Sequence, residues 1–100
     1  MKSMRIKVPH KEVVKIIKEA AYRCNLELTN QNTSRSLFEF YKSGNLLSFG
    51  NNITVSLTAN NSVIEIKVKS ESSAPIQLVD WGINNGIEED LIIEIRKIAP

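Results

Sequence analysis

Residues 53–69 read ITVSLTANNSVIEIKVK, and this stretch decides the fold. Apolar and polar side chains alternate over 53–58 and again over 64–69, with Asn60-Asn61 between the two runs. A period of two places the apolar side chains on one face of a β-strand. Because Asn tolerates the positive φ of a tight turn, the stretch predicts an antiparallel hairpin with one face on a core and the other in water.

Shorter runs extend this sheet in both directions. Near the N-terminus, residues 4–8 alternate in the same way and end before Pro9, which suits the first position of a helix. The further strand candidates are residues 25–30, 37–41, 46–49 and 76–79. Polar composition predicts loops over 30–34 and 70–75 and turns at 43–45 and 50–52.

Two segments have the apolar spacing of an amphipathic α-helix. Over residues 10–24 the apolar side chains recur every three or four positions and form one stripe about four turns long. The second helix follows the N-cap residue Asp80 and carries its stripe through Ile98. Gly86 weakens its first turns, so Asn85 is an alternative start.

Each helix has one apolar stripe and needs one surface to cover it. The simplest arrangement is a two-layer α+β sandwich, in which both helices pack on one face of an antiparallel sheet. We therefore predict a single domain over residues 1–100. Its sheet has about five to six strands, in the order β-α-β-β-β-β(-β)-α.

The C-terminal half resembles a group of small bacterial α+β domains of uncharacterised function. Their pattern is a hairpin that ends in Gly, two alternating strands, a Ser, and Asp-Trp-Gly-x-Asn at the start of a final helix. Here it is matched by Ser48-Phe49-Gly50, strands over 53–57 and 63–69, Ser70, and Asp80-Trp81-Gly82-Ile83-Asn84. The sequence departs from the pattern after Asn84. The resemblance implies a helix-grip-like fold and no activity.

The residue types that most often carry catalysis are scarce. Cys24 is the single cysteine, which excludes an internal disulfide, and His10 is the single histidine. The two lie 14 residues apart on one predicted helix, about 21 Å along its axis, so a continuous helix excludes a Cys–His pair. Cys24 lies on the apolar stripe, which predicts a buried, inert thiol. Since no metal-ligand spacing, phosphate loop or nucleophile motif is present, we predict a non-enzymatic protein with no catalytic residue, metal or cofactor.

Targeting signals are also lacking. No apolar run is long enough to span a bilayer, and the basic N-terminus is not followed by an apolar stretch as long as that of a signal peptide. We therefore expect a cytoplasmic protein that does not enter a membrane. The abundance of Ile and Asn suggests a microbial genome rich in AT.

The formal net charge of +2 conceals an uneven distribution. Residues 1–24 carry +5, residues 25–79 zero, residues 80–94 −5 and residues 95–100 +2. The acidic run Glu88-Glu89-Asp90 is explained by the dipole at the start of the last helix. The dipole does not explain the basic end of the chain, because Lys11 lies near the positive pole of the first helix.

On the first helix, four residues are predicted to form one exposed row. They are Lys11, Lys15, Lys18 and Tyr22, at steps of four, three and four. The row is either a solvated helix face or a docking site for an acidic protein partner. Pairing of Glu19 with Lys15 or Arg23 would reduce its positive charge. The same charges could face the acidic start of the last helix, in a neighbouring copy or within one molecule. The oligomeric state stays open.

A pocket for a small apolar ligand is a function of a different class. Trp81, Phe38, Phe40 and Phe49 would line it, between a helix and the sheet. In a domain of this size such aromatic side chains more often fill the core, and Trp81 is either a core plug beside the helix cap or part of the pocket wall. Nucleic-acid binding ranks third, because three lysines and one tyrosine offer few phosphate contacts.

Overall fold

The computed structural model describes residues 1–43, 50–72 and 81–99, and it confirms the predicted α+β fold. The elements in chain order are β1 (Lys2–Ile6), α1 (His10–Arg23), β2 (Glu27–Asn32), a short 3-10 helix (Thr33–Arg35), β3 (Leu37–Lys42), β4 (Asn51–Asn60), β5 (Val63–Ser72) and α2 (Trp81–Ile98). In this part of the chain the strands form one antiparallel sheet in the order β1-β5-β4-β3-β2. The predicted strands over 46–49 and 76–79, and the N-cap residue Asp80, lie outside the described residues.

β4 and β5 form the hairpin that the alternation predicts, and it lies inside the sheet. Each strand is ten residues long, and Val55 lies opposite Val68 while Leu57 lies opposite Ile66. Asn61 adopts a φ of 60° between them, the left-handed conformation that Asn tolerates. The predicted hairpin and its turn are therefore confirmed.

Both helices pack on the same face of this sheet. Their buried side chains are Val13, Ile16, Ile17, Ala20 and Ala21 on α1 and Ile87, Leu91, Ile92 and Ile95 on α2. The sheet contributes Ile6, Phe38, Phe40, Ile53, Val55, Leu57, Ile64, Ile66 and Val68 to the same core. On the other face, Glu65 lies 3.7 Å from Arg5 and 3.5 Å from Lys67. One apolar interface therefore holds the two layers, and the open face of the sheet is solvated.

Strand boundaries also differ from the prediction. β5 runs to Ser72, so the loop predicted over 70–75 is wrong in its first three residues, which still pair with β4. β1 covers Lys2–Ile6 rather than 4–8, because its pairing with β5 already starts at Lys2 and the chain leaves the sheet after Ile6 to enter α1. The turn predicted at 50–52 is wrong, because β4 begins at Asn51 and pairs there with Lys42.

β2 starts two residues later than predicted, because Asn25 belongs to the end of α1. Asn25 has a φ of 60°, and the Leu26 N–H donates to the Ala21 carbonyl over 2.9 Å. A left-handed residue followed by a 6→1 hydrogen bond to the last helical turn is a common helix C-terminus. At its other end β2 runs on to Asn32, so the loop predicted over 30–34 is a strand end followed by a 3-10 helix.

α2 begins at Trp81, so the alternative start at Asn85 is wrong. The helix passes through Gly86, where an added Cβ would meet nothing within 4 Å. The early start leaves no acidic residue in the first turn. The dipole therefore does not account for the run that begins at Glu88, since its effect fades beyond the first turn.

No helix in the described part of the chain is long and apolar enough to cross a membrane.

Candidate functional site

The basic row, defined as Lys11, Lys15, Lys18 and Tyr22, lies on the solvent face of α1. All four residues are exposed, and Tyr22 retains 78% of its accessible surface. The opposite face of the helix is buried and contains Val13 and Ile17. The periodicity of α1 therefore places the four side chains where a second molecule can reach them.

The ion pairs of α1 leave much of the positive charge of the row uncompensated. Lys15 Nζ lies 4.0 Å from Glu12, and both side chains are exposed, so this pair is weak. No carboxylate of the described residues lies within 4.0 Å of Lys11 or Lys18. Glu19 pairs with Arg23 at 3.2 Å and not with a lysine of the row.

Within one molecule, an ion pair between the two helices is formed by Arg23, which lies next to the row and is not part of it. Arg23 Nη1 lies 3.7 Å from Glu94 of α2. Arg23 thus pairs with a carboxylate on each helix, while the row itself faces solvent.

Of the residues predicted to line an apolar pocket, the structure describes the side chains of Phe38 and Phe40. Phe38 and Phe40 lie on the core face of β3, with exposed fractions of 0% and 2%. Neither lines any of three shallow depressions found on the described surface. Phe49 lies outside the described residues, as does the side chain of Trp81. The pocket stays a prediction.

One of these depressions lies between the end of α1 and the exposed side of α2. It is an open groove of about 350 Å³. Its lining residues are Arg23, Cys24, Asn25, Lys42, Asp90, Ile93, Glu94 and Lys97. Arg23, Lys42 and Lys97 line it together with Asp90 and Glu94, so it carries both signs of charge.

His10 and Cys24 lie at opposite ends of α1, which is continuous. His10 Nε2 contacts the Ser36 hydroxyl oxygen at 3.2 Å on the surface. Cys24 is half-buried, rather than buried as its place on the apolar stripe predicts, because it follows the last helical residue. Burial raises the pKa of its thiol, and the nearby carboxylates of Glu94 and Asp90 raise it further. Within the described ranges, no three His, Cys, Asp or Glu side chains are grouped to hold a metal.

Sequence reasoning missed a polar cluster beneath the start of α2, formed by Asn51, Ser70, Asn84 and Glu88. Asn84 Oδ1 accepts hydrogen bonds from the Asn51 side-chain amide at 2.9 Å and from the Ser70 hydroxyl at 2.8 Å. The Ser70 backbone N–H donates to Glu88 Oε2 over 2.8 Å. Ser70 and Asn84 belong to the pattern on which the family resemblance rests, but that pattern did not show that they meet.

Glu88 is the carboxylate of this cluster, and it is buried, with an exposed fraction of 4%. β5 extends past its last partner on β1, where Val68 pairs with Lys2, so the N–H of Ser70 needs an acceptor. Glu88 supplies one, and its other oxygen lies 3.2 Å from the amino group of Met1. The cluster therefore satisfies groups at the sheet edge and fixes α2 on the sheet.

No protein-family model matches the chain, and no curated protein matches it. Among solved structures, it is similar to a chain in the crystal structure of the adenylate sensor from AMP-activated protein kinase in complex with 5-aminoimidazole-4-carboxamide 1-beta-D-ribofuranotide (ZMP). The TM-score is 0.72, and the match covers 93% of this chain and 94% of that one. The sequence identity is 10%, so the likeness shows a shared fold.

Proposed function

We propose that this protein is a non-enzymatic, regulatory binding domain of the cytoplasm that docks an acidic surface of another protein on its basic row. The observation that carries the proposal is the state of Lys11 and Lys18. Both are exposed on one face of α1, and no described carboxylate lies within 4.0 Å of either.

The chemistry of the row favours a protein partner with clustered carboxylates. From Lys11 to Tyr22 it extends about 16 Å along the helix, which matches a short acidic helix or loop. Lysines are strongly hydrated point charges that attract carboxylates at long range. Tyr22 adds an amphipathic ring of the kind enriched at protein interfaces. Such a contact is weak and sensitive to salt.

A regulatory rather than catalytic role is supported by the absence of a reactive set among the described residues. His10 and Cys24 lie at opposite ends of α1, and Glu88 is engaged with Ser70. The fold likeness to a sensor domain is in keeping with this class of function, although a shared fold alone does not assign it.

Acidic polypeptide binding tests the proposal directly. Labelled poly-L-glutamate serves as the probe in fluorescence anisotropy, at about 0.05 M and about 0.5 M salt. The triple variant Lys11→Gln, Lys15→Gln, Lys18→Gln should bind about tenfold more weakly, because three weak ion pairs are lost. The matched control removes three charges from the open face of the sheet, through Arg5→Gln, Lys67→Gln and Lys69→Gln.

The control variant should bind as the wild-type protein does. Equal loss in both triple variants would mean that only net charge matters, and the row would not be a site. Tighter binding of duplex DNA than of poly-L-glutamate would favour the phosphate backbone as the partner instead.

A small-ligand function is the second candidate, because the similar solved structure is a complex with ZMP. Its test is a thermal-denaturation series with ZMP and, for an apolar pocket, with the dye anilinonaphthalene sulfonate. Binding to the native state stabilises it by RT ln(1 + L/Kd), where L is the free ligand concentration, so Tm rises with the logarithm of ligand concentration once that concentration exceeds Kd. An unchanged Tm with both compounds would remove this candidate.

A further inference from the structure

α2 carries a surface complementary to the basic row. The acidic patch, defined as Glu89, Asp90 and Ile93, is exposed on this helix. No cationic group of the described residues lies within 4.0 Å of Glu89 or Asp90. Ile93 retains 39% of its accessible surface, which is high for a large aliphatic side chain.

The exposed apolar side chains of the helix layer lie beside these unpaired charges. Within the described ranges, the large hydrophobic residues that remain exposed are Met1, Tyr22, Leu28 and Ile93. Two of them lie on the helices, Tyr22 on α1 and Ile93 on α2. Tyr22 follows Lys18 by four residues, and Ile93 follows Glu89 by four, which places each pair on one helix face. The layer thus presents two surfaces of opposite charge, of which the acidic patch borders the groove that Arg23, Lys42 and Lys97 also line.

The two surfaces do not neutralise each other within one chain. In the described part of the molecule, Arg23 and Glu94 form the ion pair that joins the helices, at 3.7 Å. Neither belongs to the row or to the patch. Both helices bury their apolar stripes against the sheet, so the exposed residues of each point to solvent and are free to meet a second molecule.

We propose that the basic row of one copy of this chain docks on the acidic patch of a second copy. The inference rests on the proposed function, since it uses the same row, and it names the acidic partner as the protein itself. Lys18 faces Glu89 and Asp90 of the other copy, and Tyr22 covers part of Ile93. Lys11, about 10 Å further along α1, adds to the attraction at longer range. The contact joins two different surfaces, so it closes into a dimer under twofold symmetry and otherwise extends to longer assemblies.

Analytical ultracentrifugation of the full chain tests this contact. Wild-type protein should associate with rising concentration at about 0.05 M salt and should dissociate at about 0.5 M salt. Lys11→Glu with Lys18→Glu should give monomers, and so should Glu89→Lys with Asp90→Lys. An equimolar mixture of the two double variants should associate again at low salt, because each supplies the charges that the other has reversed. Lys67→Glu with Lys69→Glu, on the open face of the sheet, is the matched control and should associate as wild type does.

Three outcomes would overturn the inference. Wild-type protein could remain monomeric at every concentration, association could survive both double variants, or the mixture could fail to restore it. If wild type is monomeric while poly-L-glutamate still requires the row, the inference fails and the proposed function stands. If neither self-association nor poly-L-glutamate binding depends on the row, both fail. Circular dichroism checks folding, and the single variants Lys18→Glu and Glu89→Lys replace any double variant that does not fold.

Discussion

Ser70 and Asn84 meet at 2.8 Å, with the Ser70 hydroxyl donating to Asn84 Oδ1. One residue lies near the end of β5 and the other in the first turns of α2, 14 positions later. Asn51 of β4 donates its side-chain amide to the same oxygen over 2.9 Å. A single amide oxygen thus joins the helix to two neighbouring strands.

The first prediction concerns this oxygen. Asn84→Ala should lower the free energy of unfolding by about 2 kcal/mol, because the largely buried donors of Asn51 and Ser70 lose their acceptor. Urea denaturation measures the loss. Asn85→Ala is the matched control, since Asn85 is exposed in the next position of the same helix. It makes the same change in helix propensity and should leave stability within about 0.5 kcal/mol.

A double-mutant cycle isolates the contact between the two side chains. Ser70→Ala and Asn84→Ala should be less destabilising together than the sum of the single variants, with a coupling of about 1 kcal/mol. Strict additivity would show that the 2.8 Å contact contributes nothing to stability.

The second prediction concerns the buried carboxylate of Glu88. Glu88→Ala should cost about 2 to 3 kcal/mol, because it leaves the Ser70 N–H at the sheet edge without its charged acceptor. Glu89→Ala changes the neighbouring, exposed carboxylate and should cost less than about 0.5 kcal/mol. Equal losses measured by urea denaturation would contradict a special role for Glu88.

The third prediction contrasts two glycines. An added Cβ on Gly50 would overlap the hydroxyl and ring of Tyr41, a residue of the neighbouring strand β3. Gly50→Ala should therefore destabilise the protein by about 1 to 3 kcal/mol. Gly86→Ala meets nothing within 4 Å and should stabilise α2 by about 0.5 to 1 kcal/mol, because Ala is the better helix former. Thermal denaturation distinguishes the two signs.

Removal of the Tyr41 ring tests why Gly50→Ala is destabilising. In a Tyr41→Ala background, Gly50→Ala should cost little, since the overlapping atoms are gone. A cost that persists there would locate the strain in the backbone instead.

The parts of the fold that depend on periodicity could be predicted from the sequence. The alternation over 53–69 specified β4 and β5, and the stripe of α1 specified both its buried face and the exposure of the basic row. These properties follow from where successive side chains point. No knowledge of distant residues is needed to derive them.

The parts that depend on distant partners could not be predicted. The polar cluster forms only when β5 and α2 are packed together, and sequence spacing does not indicate that Ser70 and Glu88 meet. From the sequence alone, the helix dipole offers a local explanation for the acidic run that contains Glu88. The start of α2 at Trp81 removes that explanation, and one member of the run is buried beneath the helix. Asn25 is a second example. The sequence predicts a strand from residue 25, whereas the left-handed backbone of Asn25 ends α1.

The fourth prediction concerns the pH dependence of Cys24. Burial raises the pKa of this thiol, Glu94 and Asp90 raise it further, and Lys42 opposes them. Because the thiolate is the reactive form, alkylation of the native protein by iodoacetamide should have a midpoint at higher pH than alkylation of the chain unfolded in urea. Glu94→Gln should move the native midpoint downward, since it removes the largest of the two carboxylate contributions.

The raised pKa of the Cys24 thiol also makes the stability of the protein depend on pH. The folded state disfavours the thiolate, so the contribution of Cys24 is fully present below the pKa of the unfolded thiol and is lost as the pH rises through the higher folded pKa. Cys24→Ser should therefore reduce the loss of stability in that alkaline window. Glu65→Gln, on the open face of the sheet, is the control and should leave the alkylation midpoint in place. A native midpoint at or below that of the unfolded chain would show that Glu94, Asp90 and burial do not act on this thiol.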